Sequence, residues 1–425
     1  MNGSLVIDLG ISPGVWLFLS LLLCLTIFFK FSRFWSVRNL DLLLLFALAP
    51  GMLWLVGSEP QPWMAFVWLF AGSALWLVRC LLDLGDSRRP FLEPNLNMAG
   101  LACMAIGVLG LLLAETVSLP LYEGAARNPA EPSGRDDPPP AGTVGPNAPI
   151  AKAVKNAPLP TALRPNPPQE ILKRVLASLA QLGLVAALIG VGWRHFERPV
   201  TGLAVATCYL LLPYTRIALV DCGQILPAAL IVTALLFYNR PRLAGALIGL
   251  AAGWMPACLG LVPLWAGFYR GRGAKRFLAV GLLVLCVCVL LTMTLPVRLD
   301  VWGRALGARS LKEAGLTLNF ESPSVGSFWS RVDGHYRIPV LILYLAFVTI
   351  VTFWPAQKNL GELIALSAAL LVGSQFWFLA EGGTMIVLYL PLTILMMFRP
   401  NLSGKRALPL ATRERAAHGS LFPVR

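Results

Sequence analysis

The ionisable residues able to do chemistry are few, and they lie at the ends of long apolar runs or between them. Glu59, Glu115, Glu123, Arg216, Asp221, Asp300, Glu321, Asp333, His335, Arg337 and Glu381 all fall on what reads as one side of a membrane. Carboxylates in that position could deprotonate a hydroxyl or hold a divalent metal, and arginines could grip a phosphate through paired hydrogen bonds. Each also has a plainer reading. Asp221-Cys222-Gly223-Gln224 has the spacing of a capping box, with Asp at the N-cap and Gln three residues on. Glu59 sits in a short turn open to water, and Glu115 closes an apolar run where a carboxylate simply reaches solvent.

Other chemistries lack their residues. The chain has three histidines, His195, His335 and His418, and no H-x-x-x-H, H-x-x-E-H, G-x-S-x-G or G-x-x-x-x-G-K-[ST] pattern. Metalloprotease, serine hydrolase and ATP-driven readings therefore have no support. No cofactor is implied, and a divalent metal stays open without a ligand set to argue for it. Eight cysteines stand almost entirely inside apolar runs, without a C-x-x-C or zinc spacing, and read as small apolar filler between helices.

The elements that must hold these groups follow from composition. Of 425 residues, 57% are hydrophobic and 13% charged, too apolar and too uncharged for a surface facing water. Crossing a bilayer takes roughly 20 apolar residues per helix. Runs of that kind recur near 14–30, 41–57, 63–82, 98–116, 175–193, 200–219, 223–238, 277–296, 338–355, 360–379 and 384–398. They do not alternate polar and apolar as barrel strands would, so the expected fold is all-α, a polytopic transmembrane bundle of about eleven spans. The first run carries Asp8 before it and Lys30 and Arg33 after it, the order of an uncleaved first span.

The stretch 243–269 is expected to be different. Gly253 and Pro256 stand at its middle, and a helix cannot run smoothly through a proline that lacks an N–H and clashes with the preceding turn. Two half-helices that enter and leave on one side keep Arg270, Arg272, Lys275 and Arg276 with the other basic loops. Gly245, Gly249 and Gly253 recur at every fourth position and read as a close packing face.

The basic residues set the orientation. Lys30, Arg38, Arg79, Arg88, Arg194, Arg198, Arg240, Arg242, the 270–276 turn, Lys358 and the tail from Arg399 fall in alternate connections, while the opposite short loops are nearly free of Lys and Arg. The basic residues of the long loop 117–170 do not count against this, because long loops translocate largely regardless of charge. The positive-inside rule then puts the amino terminus outside the cell membrane and the carboxyl terminus in the cytoplasm. The formal charge of +14 fits a membrane surface, and no basic stripe interleaved with aromatics supports a nucleic-acid partner. The chain divides into a four-span region 1–116, a Pro-rich external loop 117–170 expected to be disordered, a membrane region 171–398 with an external loop 297–337, and a basic tail 399–425.

The stretch from Tyr209 to Arg276 resembles the central segment of the C-type membrane glycosyltransferases, and more narrowly the bacterial polyprenyl-phosphate-mannose-dependent mannosyltransferases. The residues that carry the resemblance are Gly223-Gln224 opening a span, Arg240-Pro241, the run Leu243 to Ala252, Pro256 and the basic turn Arg270–Arg276. The segment Ser322 to Val332 is similar to the family's last large external loop, and Leu388 to Leu392 to its final span. Trp254-Met255 stand where the family has a lysine, and Ala380-Glu381-Gly382-Gly383 where it often has polar or histidine residues. The resemblance implies a glycosyltransferase C-like fold. It also implies transfer of a sugar from a polyprenyl-phosphate-linked donor, drawn from the membrane lipid, to an acceptor on the outer face. It assigns Glu115 or Asp221 as base, Arg216 and Arg337 to the donor phosphate, Gln224 to substrate binding, and Glu381 as support. A scaffold of the same fold without catalysis, and a transporter or flippase, stay open beside it.

Overall fold

The computed structural model describes residues 13–57, 63–85, 93–118, 168–294, 328–332, 334–379 and 381–407. Glu59, Glu123, Asp300, Glu321 and Asp333, nearly all of 117–170 and most of 297–337 lie outside them, as does the tail beyond 407.

Every regular element among the described residues is a helix. The first helices are α1 (Pro13–Phe28), α2 (Val37–Ala47), α3 (Ala49–Gly57), α4 (Trp63–Leu82), α5 (Met98–Ser118) and α6 (Pro168–His195). They are followed by α7 (Pro199–Leu211), α8 (Pro213–Ile217), α9 (Cys222–Leu236), α10 (Pro241–Trp254), α11 (Leu261–Phe268) and α12 (Ala274–Thr294). The last are α13 (Arg337–Phe353), α14 (Leu360–Ser374) and α15 (Ile386–Phe398). Four stretches are long and apolar enough to cross a bilayer by themselves: Val37–Leu55, Trp63–Leu82, Met98–Val117 and Ile171–His195.

Several other helices are shorter than the runs that announced them, for local reasons. Pro213 forces Leu212 into an extended conformation (φ −67°, ψ 142°), so the run 200–219 breaks into α7 and the single turn α8. Pro199, Pro213 and Pro241 each open a helix at its first turn, where the missing N–H costs nothing. Asn359 and Glu362 open α14 with a reciprocal capping box, at 2.8 and 2.9 Å.

One continuous core runs from Trp16 to Ala407. Helix α4 packs on α14 and α5 on α7, so the amino-terminal helices share that core with the rest. Large apolar side chains, among them Phe18, Ile106, Leu283 and Leu343, are exposed on the outside. That is expected of a surface facing hydrocarbon.

The stretch 241–269 doubles back. Helix α10 ends at Trp254, Met255 is extended, and a 3-10 turn Pro256–Gly260 leads into α11. The outward arm of 14 residues rises about 21 Å, and the return of 5 and 8 residues about 22 Å. Tyr269 Oη donates to the Tyr238 carbonyl at 2.5 Å, and Gly273 lies against Pro241, so both arms start and finish at one level. The glycine face packs as expected, on α12. A Cβ on Gly245 would sit 2.4 Å from the Phe277 carbonyl oxygen, one on Gly249 2.4 Å from that of Gly281, and one on Gly253 2.6 Å from Cys288 Cβ. Only glycine lets these two backbones approach so closely.

Contacts sort the helix ends into two groups. At one end Arg198 pairs with Glu93 at 3.5 Å, Arg272 donates to the Ala407 carbonyl at 3.1 Å, and Lys405 bridges the His195 carbonyl and Glu197, both at 2.7 Å. At the other end Arg174 donates to the Val117 carbonyl at 3.0 Å, Cys222 Sγ to that of Lys173 at 3.2 Å, and Trp63 Nε1 to that of Phe328 at 3.2 Å. The basic connections gather at the first end, and the candidate residues Glu115, Arg216, Asp221, Arg337 and Glu381 at the second.

Candidate functional site at the second end

The site begins with α8. Because Pro213 starts a new turn, Arg216 leaves the axis of α7 and meets the last turn of α5. Its Nε lies 2.8 Å from both oxygens of Glu115 and its Nη2 2.7 Å from Oε1. The guanidinium also stands 5.0 Å from the ring centre of Trp16, a cation–π distance. Both charged side chains are mostly buried, at 14% and 16% exposed. A carboxylate held this way positions the arginine. The pair occupies both partners, the carboxylate taking Nε and Nη2 of the guanidinium.

Asp221 follows one turn later as the N-cap of α9, accepting from Gly223 N at 3.0 Å. The N-cap forms, to the second residue of the helix, but the expected capping box does not. The Gln224 side chain does not reach back; its Nε2 donates to the Thr384 carbonyl at 3.3 Å, and its buried Oε1 has no hydrogen-bond partner among the described residues. Cap spacing specifies a donor within reach, but here a tertiary acceptor wins. Thr384 in turn donates through N and Oγ1 to the Glu381 carbonyl, at 3.0 and 3.1 Å. Gly383, with φ of +97°, makes this turn possible. Asp221, Gln224 and Glu381 are thus joined through the first turn of α9 and the turn before α15.

Arg337 opens α13 and is buried at 6% exposed, its Nε donating to the Trp377 carbonyl at 3.1 Å. Trp377 lies against Tyr344, ring centres 5.6 Å apart. Beside this turn Phe328 stacks on Phe70 at 4.1 Å and Trp63 at 5.5 Å. No protein-family model matches this chain, and neither does any curated protein or solved structure.

Among the described residues no three His, Cys, Asp or Glu side chains could hold a metal ion together. Six of the eight cysteines are buried; Cys103 and Cys286 are exposed on the helix surface, so the filler reading fails for those two.

The sequence reading missed polar groups at both ends. Gln375, at the close of α14, is fully buried. At the basic end, Arg79 Nε and Nη2 bind Asp41 at 2.5 and 2.7 Å and Nη1 binds Asp83 at 3.1 Å. Arg399 closes on the same Asp83 at 2.5 and 2.9 Å. Arg79 and Asp83 lie one turn apart on one face, a spacing that could have flagged them. Lys358 is buried there too, donating to the Thr352 and Pro355 carbonyls at 2.9 Å, and burial pushes its pKa down.

Proposed function

We propose that this chain is a multi-pass membrane protein that transfers a sugar from a polyprenyl-phosphate-linked donor to an acceptor at the end carrying Glu115, Arg216, Asp221, Gln224, Arg337 and Glu381. The basic end faces the cytoplasm on this reading, by the positive-inside rule, and the hairpin 241–269 is re-entrant. The observation that carries the reading is Arg216, held by Glu115 and Trp16 at the end of an apolar bundle. An oriented guanidinium beside aromatic side chains suits a phosphate joined to a long apolar tail. Asp221, half-buried five residues on, is then the better base.

A second reading, a scaffold of the same fold without catalysis, is favoured by how the candidates are occupied. Glu115 is spent on Arg216, Asp221 on a helix cap, Gln224 and Arg337 on carbonyls. One titration separates the readings. Purified protein should bind a polyprenyl-phosphate sugar, and Arg216→Ala should weaken binding about tenfold or more, as loss of a charged hydrogen bond does. Wild-type protein that fails to bind, or an Arg216→Ala variant that binds equally well, defeats the transferase reading.

A further inference from the structure

The mouth of the hairpin 241–269 concentrates positive charge that no described acidic side chain pairs with. Gly273, at φ +127°, lies 3.1 Å from Pro241 Cγ when a Cβ is placed on it. This contact brings the starts of α10 and α12 together. Arg240 and Arg242 stand at the first of these, and Arg270, Arg272, Lys275 and Arg276 lead into the second. Neither helix has an acidic residue in its first turn, and Arg240 at the N-cap of α10 gives no side-chain cap. Cations at a helix amino terminus oppose the macrodipole, so two such termini side by side favour a bound anion.

The described surroundings do not supply one. Arg240, Arg242, Arg270, Lys275 and Arg276 are exposed and make no ion pair among the described residues. Arg272 donates to the Ala407 carbonyl and Arg270 lies over the Phe353 ring at 5.9 Å. The carboxylate on the neighbouring element, Glu362, is held by Asn359 N in its own capping box. Exposed apolar side chains flank the cluster: Leu243, Leu282 and Leu283 on α10 and α12, Phe353 and Trp354 at the end of α13. A free phosphate uses only the charges, whereas a lipid uses both surfaces.

We infer that these six cations hold the phosphate headgroup of an anionic phospholipid whose acyl chains lie along the exposed faces of α12 and α13. The purified full-length chain is incubated with equal amounts of phosphatidylglycerol and phosphatidylcholine of matched chains, and bound lipid is counted by native mass spectrometry. Each cation near an anionic headgroup contributes about fivefold in affinity, so phosphatidylglycerol should be retained at least about tenfold over phosphatidylcholine. The Arg240→Gln, Arg270→Gln, Arg276→Gln triple variant should lose that preference, and the matching triple Lys variant should keep it. In wild type the preference should also fall as salt rises from about 0.05 to about 0.5 M, a readout independent of whether the Gln variant folds. Equal retention of the two lipids by wild type, a preference unchanged in the Gln variant, or one indifferent to salt overturns the inference. Displacement of the lipid by about 10 mM inorganic phosphate would likewise overturn it, in favour of a free-phosphate site.

Discussion

Arg399, one residue past the last helix, holds the carboxylate of Asp83, 316 positions earlier, through two of its nitrogens. Asp83 also receives Arg79, and Arg79 holds Asp41, so α2, α4 and the end of α15 meet in one alternating chain of charges. The Asp83 side chain is fully buried and that of Arg399 is 7% exposed. Removing one member of a buried pair leaves the other uncompensated and costs about 3–5 kcal/mol. Arg399→Met should lower the unfolding midpoint in detergent by far more than Arg406→Met, whose partner Gln357 is exposed. Asp83→Asn combined with Arg399→Met should recover part of the loss, and strictly additive losses would mean that the two side chains are not coupled.

The α10–α12 contact predicts a second contrast. Gly249→Ala places a methyl 2.4 Å from the Gly281 carbonyl oxygen, a backbone atom that cannot step aside. A destabilisation of about 1–3 kcal/mol is expected, as in other overpacked contacts. Gly183→Ala, in the middle of α6 with nothing within 4 Å, should be neutral or stabilising by about 0.5–1 kcal/mol. Thermal unfolding of the two variants in parallel checks both, and equal effects would mean that α10 and α12 are not in close contact.

Much of this architecture is legible in the sequence because its causes are local. Pro256 breaks its helix wherever that helix lies, and glycines at every fourth position mark a close contact whatever the partner. The positions of the charges in the connections already separate the two ends. What is not legible depends on partners distant in sequence. Asp41 and Asp83 look like solvated residues among basic loops until Arg79 and Arg399 come to them. The Asp221 cap follows from its spacing, but nothing near Gln224 reveals that Thr384, 160 residues on, will take its amide. The pairing of Glu115 with Arg216 across 101 positions is equally silent.

Sidedness can be read directly. Single cysteines replacing Arg198, Arg272 and Arg406, in a background lacking the native ones, should react with an impermeant maleimide from one side of a sealed vesicle. A cysteine replacing Asp221 should react only from the other side. Labelling that puts Arg198 and Arg272 on different sides contradicts the doubled-back hairpin.

The Glu197–Lys405 contact predicts a pH dependence. The Lys405 ammonium, 2.7 Å away, holds the Glu197 carboxyl below its ordinary value. A carboxylate whose folded pKa is depressed contributes stability above its unfolded pKa and loses it as pH falls through the folded value. The difference in unfolding midpoint between wild type and Glu197→Gln should therefore be present at neutral pH and be lost as acid carries the protein below the ordinary carboxylate range and through the depressed folded value. Glu197 is fully exposed, so the difference should also be small and shrink with added salt. A difference that grows on acidification would contradict the pairing.

The segment 399–407 fastens connections made long before it. Arg399 ties the end of α4, Lys405 the turn after α6, Ala407 the turn after α11, and Arg406 the turn after α13. Synthesis runs from the amino terminus, so each of those turns must wait, already in place, for the final described stretch of chain to arrive. The earlier helices already pack on one another, α10 on α12 and α5 on α7, so the arrival of this stretch adds a common clasp across four turns that were formed separately.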